Sequence, residues 1–130
     1  MVPRWFAEAS FVGAGGFFGA IMRFGVTGLV HRFASFATFP WGTLVVNVAG
    51  CLAIGALAGA AESRQLFSPD TRLFLLIGLL GGFTTFSTFG FETFTMVRDA
   101  QRFAALGNVL LHLGLGLPAV WLGYSLLRAV

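Results

Sequence analysis

The sequence predicts an all-α membrane protein: a single integral domain over residues 1–130 with four transmembrane helices, the third of them broken in mid-membrane. Three observations predict it. First, only 10% of the 130 residues are charged while 57% are hydrophobic, against roughly 25% charged in an ordinary globular domain. A small soluble chain buries a modest fraction of its surface, and eight arginines, five acids and no lysine cannot cover the remainder. Second, charges divide the chain into four apolar stretches, each near the roughly 20 residues a helix needs to cross a hydrocarbon core. Third, a Gly-Gly pair followed by Thr, Thr, Ser and Thr interrupts the third stretch, where helix propensity is low and hydroxyls compete for backbone bonds.

The expected spans are about 11–30, 41–61, 73–94 and 103–127, with short polar connectors at 31–40, 62–72 and 96–102. Alternating barrel strands would be shorter and half polar, so strands are excluded. The first stretch is too long for a signal peptide and carries Arg23, so it is read as an uncleaved span. Four spans place both termini on one side. That side collects Arg4, Arg64, Arg72 and Arg128, and the other Arg32, Arg98 and Arg102. Orientation normally follows a clear excess of cations in cytoplasmic loops. So even a count fits either a weak fixed topology or a chain that inserts both ways and pairs with an inverted copy. The spacings Gly15/Gly19, Gly55/Gly59 and Gly78/Gly82 put small residues on one helix face, which favours tight packing and an oligomer.

The net charge of +3 is scattered, so nucleic acid is not an expected partner. Cys51 is the only cysteine; it forms no intrachain disulfide and reads as a small buried hydrophobe. With no nucleophile–base pair and no metal-ligand cluster, an enzyme is not expected.

Polar groups inside spans are the functional candidates, because they are expensive in hydrocarbon. In the second span Asn47 offers two N–H donors and one acceptor; by itself it serves equally as interhelical glue. Thr43, one turn earlier, is expected to return its hydroxyl to its own backbone. Arg23 either snorkels to an interface or supplies positive charge to a water-filled vestibule, and Glu92 near the end of the third span has the same snorkelling alternative. In the fourth span Asn108, His112 and Gly116 lie at one-turn spacing and form a candidate polar stripe, although His112 alone reads as a hydrogen-bonded interhelical histidine. Pro118 is expected to kink this helix.

In the third span the first half-helix is expected to end near Gly81–Gly82, its negative dipole end favouring a cation. Thr and Ser hydroxyls then cap the second half. Phe86 and Phe89 share a face. Packing is the ordinary role for such a pair. Their positive ring edges, beside Ser87, Thr88 and Asn47 and without an acid at mid-depth, suit a small anion better than a metal ion or organic cation.

The stretches Gly42-Thr-Leu-Val-Val-Asn-Val-Ala-Gly50 and Gly81-Gly-Phe-Thr-Thr-Phe-Ser-Thr-Phe89, with Gly19-Ala-Ile-Met-Arg-Phe24, resemble those of the Fluc (CrcB) fluoride-channel family over essentially the whole chain. The resemblance implies an antiparallel, dual-topology homodimer in the cell inner (plasma) membrane, with two pores that export toxic fluoride passively. It implies that Asn47 donates to fluoride, that the ring edges of Phe86 and Phe89 line the pore, and that Ser87 and Thr88 belong to the hydroxyl-bearing segment beside them. Arg23 matches the family's vestibule arginine. The resemblance also implies a structural sodium ion at the dimer axis, held by the backbone carbonyls of Gly81 and Thr84 from both copies. Many relatives carry a tyrosine and serines where Asn108, His112 and Gly116 stand here. Asn108 can still donate, His112 would make the track pH-sensitive if it titrates near neutrality, and Gly116 has no donor. Alternatives are a small dual-topology multidrug exporter, which wants a deep acid that Glu8 and Glu92 do not provide, and a non-transporting membrane assembly subunit.

Overall fold

The computed structural model describes residues 3–34, 38–64 and 67–129, leaving parts of the first two expected connectors and the side chain of Arg64 outside the description. Helix α1 spans Arg4–Phe33 and α2 spans Trp41–Arg64. The third span is composite: α3 (Pro69–Arg72), a π-helical segment (Leu73–Leu80), α4 (Gly81–Phe83) and, after an interruption, α5 (Phe86–Arg98). Helix α6 spans Arg102–Arg128 and runs unbroken through Pro118. Among the described residues four helices, counting the composite one as 69–98, are long and apolar enough to cross a membrane. Helix suits such segments, because its intrasegment hydrogen bonds satisfy the backbone where water is missing. Large apolar side chains such as Phe17, Phe24, Leu117 and Trp121 face outward, as they do on a surface solvated by lipid.

The described glycines show how the helices pack. A Cβ on Gly15 would lie 2.9 Å from the Cα of Gly78, and one on Gly82 would lie 2.9 Å from the Cα of Gly16. Helix α1 and the first half of the third span therefore touch backbone to backbone. In the same way a Cβ on Gly55 would lie 3.0 Å from the Tyr124 nitrogen and one on Gly123 would lie 2.8 Å from the Ala56 nitrogen, which seats α2 directly on α6. The small-residue pairs expected to favour an oligomer are thus engaged inside the chain. Each occupies a contact where any larger side chain would push two backbones apart.

The first half-helix ends one residue beyond the expected Gly81–Gly82. Helix α4 continues through Phe83, and the extended residues are Thr84 (φ −82°, ψ 160°) and Thr85 (φ −152°, ψ 107°). Gly82 stays helical because its missing side chain is needed against Gly16. The backbone turns out of the helix only where Asn47 of α2 reaches across to Thr85. The π-helical turns just before it widen the helix, a feature that recurs at functional sites and that the Leu-rich run does not foreshadow.

Helix α5 ends in a Schellman arrangement: the Ala100 N–H donates to Val97 O at 3.1 Å and the Gln101 N–H to Met96 O at 2.8 Å. Ala100 holds φ 61°, a left-handed conformation that opposes an L side chain by about 1–2 kcal/mol. Ala100→Gly is expected to stabilise the protein by about 0.5–1 kcal/mol, the larger unfolded-state entropy of glycine offsetting part of the relief. A thermal melt in detergent followed by circular dichroism checks this; an unchanged or lowered midpoint contradicts it.

Candidate functional site

The interrupted third span sits between two cavities. Asn47 makes it a defined structure rather than a frayed one. Its Oδ1 accepts the Thr85 N–H at 2.8 Å, and its Nδ2 donates to the Thr85 carbonyl at 3.1 Å. A single carboxamide thus does for Thr85 what a neighbouring strand would do, satisfying both backbone groups that the extended conformation exposes. On the near side the Thr84 N–H and hydroxyl both donate to Leu80 O at 2.9 Å. On the far side the Thr85 hydroxyl caps α5, accepting the Thr88 N–H at 3.3 Å and lying 2.8 Å from the Thr88 hydroxyl.

The first cavity is a groove of about 420 Å³ whose wall includes Asn47, Cys51, Gly81, Thr84, Thr85, Phe86, Phe89, His112 and Gly116. It brings together six of the expected site residues: Asn47 of the second span, Gly81, Thr84, Phe86 and Phe89 of the third, and His112 of the fourth. The rings of Phe86 and Phe89 lie 5.6 Å apart at 54°, and Phe89 packs on the His112 imidazole at 4.3 Å. Phe86 is 83% exposed, so its ring stands at the open side of the groove instead of in the core. Among the described residues the wall carries amide, hydroxyl, thiol and imidazole groups and no carboxylate.

The second cavity, about 400 Å³, is lined by Arg23, His31, Thr43, Thr85, Thr88 and Glu92 among others. Thr85 is common to both, so the helix break is the partition between them. Arg23 reaches the break: its Nη1 donates to the Thr84 carbonyl at 3.4 Å, placing a fixed positive charge there. Thr43 does not bond its own backbone. Its hydroxyl donates to Glu92 Oε1 at 2.7 Å, because the two residues face each other across the α2–α5 contact. Glu92 is accordingly half-buried and held, with Oε2 lacking a protein partner among the described residues.

The polar stripe of α6 is divided between packing and the groove. Asn108 is fully buried, and its Nδ2 donates to the Thr93 hydroxyl at 2.9 Å. Asn108 joins α6 to α5 and does not line the groove. Gly116 lies where a Cβ would meet Cys51 Sγ at 3.5 Å. Ser87 is exposed and outside the groove wall, its hydroxyl 3.4 Å from that of Thr85, while Thr88 faces the second cavity. Thr85 is the residue sequence reasoning passed over. It stands in the hydroxyl run but shows its importance only through Asn47, 38 positions away.

Residues 10–124, which include the break and both cavities, match the family described as CrcB-like protein, Camphor Resistance (CrcB). The chain belongs to the CrcB family. It is 41% identical over 121 residues to the fluoride-specific ion channel FluC of Methylobacillus flagellatus, covering 93% of this chain and 94% of that one. It is 47% identical over 116 residues to the protein of the same name from Opitutus terrae, covering 88% and 87%. Against that of Geobacter sulfurreducens it is 46% identical over 110 residues, covering 85% and 88%. With four membrane-length apolar helices, this CrcB-family chain is a multi-pass membrane protein.

Proposed function

We propose that the protein is a fluoride-selective channel that lets toxic fluoride leave the cell by passive diffusion. The observation that carries this reading is the near full-length identity of 41–47% to proteins named as fluoride-specific ion channels, in a chain whose groove beside the helix break has no carboxylate among the described residues. Fluoride is small and strongly hydrated, so a narrow path must replace its water with donors. Asn47 keeps one Nδ2 hydrogen after bonding Thr85, and Phe86 and Phe89 offer ring edges. Thr84 and Thr85 stand in the wall, and Ser87, Thr88 and Asn108 belong to the flanking polar segments. Arg23 raises the local anion concentration. No bond is made or broken in the process.

The groove is open on the Phe86 side, so one chain does not enclose a path. An antiparallel, dual-topology homodimer would close it twice, with two pores per dimer, and the even distribution of arginines supports that insertion. The cell inner (plasma) membrane, with its lipid, is the location this function requires. A sodium ion at the dimer axis also fits the residues present. The N–H of Thr85 that would close onto Gly81 in a continuous helix is turned to Asn47, which frees the Gly81 carbonyl. The Thr84 carbonyl keeps a second lone pair beside Arg23. Two such carbonyls from each copy make an all-oxygen donor set suited to a hard cation, which would serve to hold the two breaks together.

Fluoride efflux from liposomes containing the purified protein, followed with a fluoride electrode beside parallel chloride efflux, tests the reading. Fast fluoride release without chloride release is expected. No fluoride release from a folded dimer overturns it.

A further inference from the structure

We propose that His112 is a titratable donor in the fluoride path and that it makes passage through this protein acid-activated; the inference rests on the channel reading above and specifies how that groove is regulated. It starts from the tautomer. The Nδ1 of His112 lies 2.9 Å from the backbone carbonyl of Asn108. A carbonyl oxygen only accepts, so Nδ1 carries a hydrogen in either protonation state. In the neutral imidazole Nε2 is therefore a bare lone pair. That atom is buried and has no hydrogen-bond partner among the described residues, although the ring itself stands in the groove wall and packs on Phe89.

An unpartnered buried lone pair opposes an anion at the aromatic ring expected to guide it. Protonation reverses the sign at the same point: Nε2 becomes an N–H donor with a full positive charge behind it, and a small anion supplies the acceptor that the protein withholds. The surroundings make this change large. From α2 the groups facing the groove are the Asn47 carboxamide and the Cys51 thiol, from the break Thr84 and Thr85, and from α5 the Phe86 and Phe89 rings. On α6 the neighbours are the Asn108 carbonyl and Gly116, and Thr93 of α5 stands behind Asn108. None of these is a fixed charge. Arg23, Glu92 and the titratable His31 line the second cavity, beyond Thr85. The imidazolium would be the one full charge in the groove wall among the described residues.

The test is voltage-driven fluoride current through the purified full-length protein in planar lipid bilayers, from about pH 8.5 to about pH 5.5, a range that brackets imidazole titration. Reading current excludes the neutral flux of hydrogen fluoride through lipid. Wild-type current is expected to rise about tenfold or more on acidification, while His112→Gln and His112→Ser give currents of whatever size that do not vary with pH. A flat wild-type profile overturns the proposal, as does a rise that survives in either folded variant, which would move the titrating group elsewhere. Absence of fluoride current from the wild type at every pH would instead overturn the channel reading itself.

Discussion

Asn47→Ala is expected to lower stability by about 2–4 kcal/mol and to abolish fluoride flux. The substitution removes the acceptor for the Thr85 N–H and the donor to its carbonyl, and each unsatisfied buried backbone group costs about 1–3 kcal/mol. Thr85 is buried, so with both partners gone the extended turn has to re-form as helix or distort. Re-forming the helix would return the Thr85 N–H to Gly81, withdraw the Thr85 hydroxyl from the cap of α5 and rotate Phe86 and Phe89 together, since both ride on that half-helix. Unfolding in detergent and liposome efflux measured on the same preparation separate the two roles of the residue. Wild-type stability in Asn47→Ala would contradict the bracing role. Stability retained with flux lost would leave Asn47 as a pathway donor alone. Asn47→Asp refines the result: it keeps an acceptor for the Thr85 N–H but sets a second oxygen against the Thr85 carbonyl, so partial recovery of stability without recovery of flux is expected.

That one side chain also marks the boundary of what was legible in the sequence. The four spans could be read because their causes are local: apolar runs long enough to cross a bilayer, separated by charge. The break could be read as a region, since a Gly pair and four hydroxyl residues in nine positions cannot hold a uniform helix against competition. Its location could not. Gly82, the better helix breaker by composition, is needed for contact with Gly16, and the residue that pulls the backbone open stands on another helix. The same reason hid the Thr43–Glu92 hydrogen bond, which joins residues 49 positions apart. It also hid the division of the α6 stripe, where Asn108 turns to Thr93 and His112 to the groove. Periodicity assigns residues to a face of a helix, whereas partners across a helix–helix contact are set by how far one helix slides along the other. The glycines that fix that slide were visible, but the residues they would meet were not.

Phe86→Ile is expected to leave the fold intact and to reduce fluoride flux by about two orders of magnitude. The ring is 83% exposed within the chain, so its replacement removes little intrachain packing. Ile keeps most of the volume and all of the apolar character, which separates shape from electrostatics. What it lacks is the quadrupole: an aromatic edge carries positive potential, and an aliphatic surface carries none. A desolvated cation over an aromatic face gains about 2 kcal/mol or more, and the same quadrupole acting on an anion at the ring edge is assigned the same order. Since about 1.4 kcal/mol on a barrier is a factor of ten, losing such a contact slows passage by roughly 30-fold, and the paired ring of Phe89, 5.6 Å away at 54°, loses the neighbour that fixes its tilt. The further loss brings the expected reduction to about 100-fold. Size-exclusion chromatography and the thermal midpoint should match the wild type while efflux falls. Near-wild-type fluoride flux through Phe86→Ile would show that the rings only shape the passage and that the donors of Asn47 and the threonines strip the water from the ion by themselves. Chloride flux is expected to stay at background in the variant, because an aliphatic side chain at that position offers a larger anion no compensation for its lost hydration.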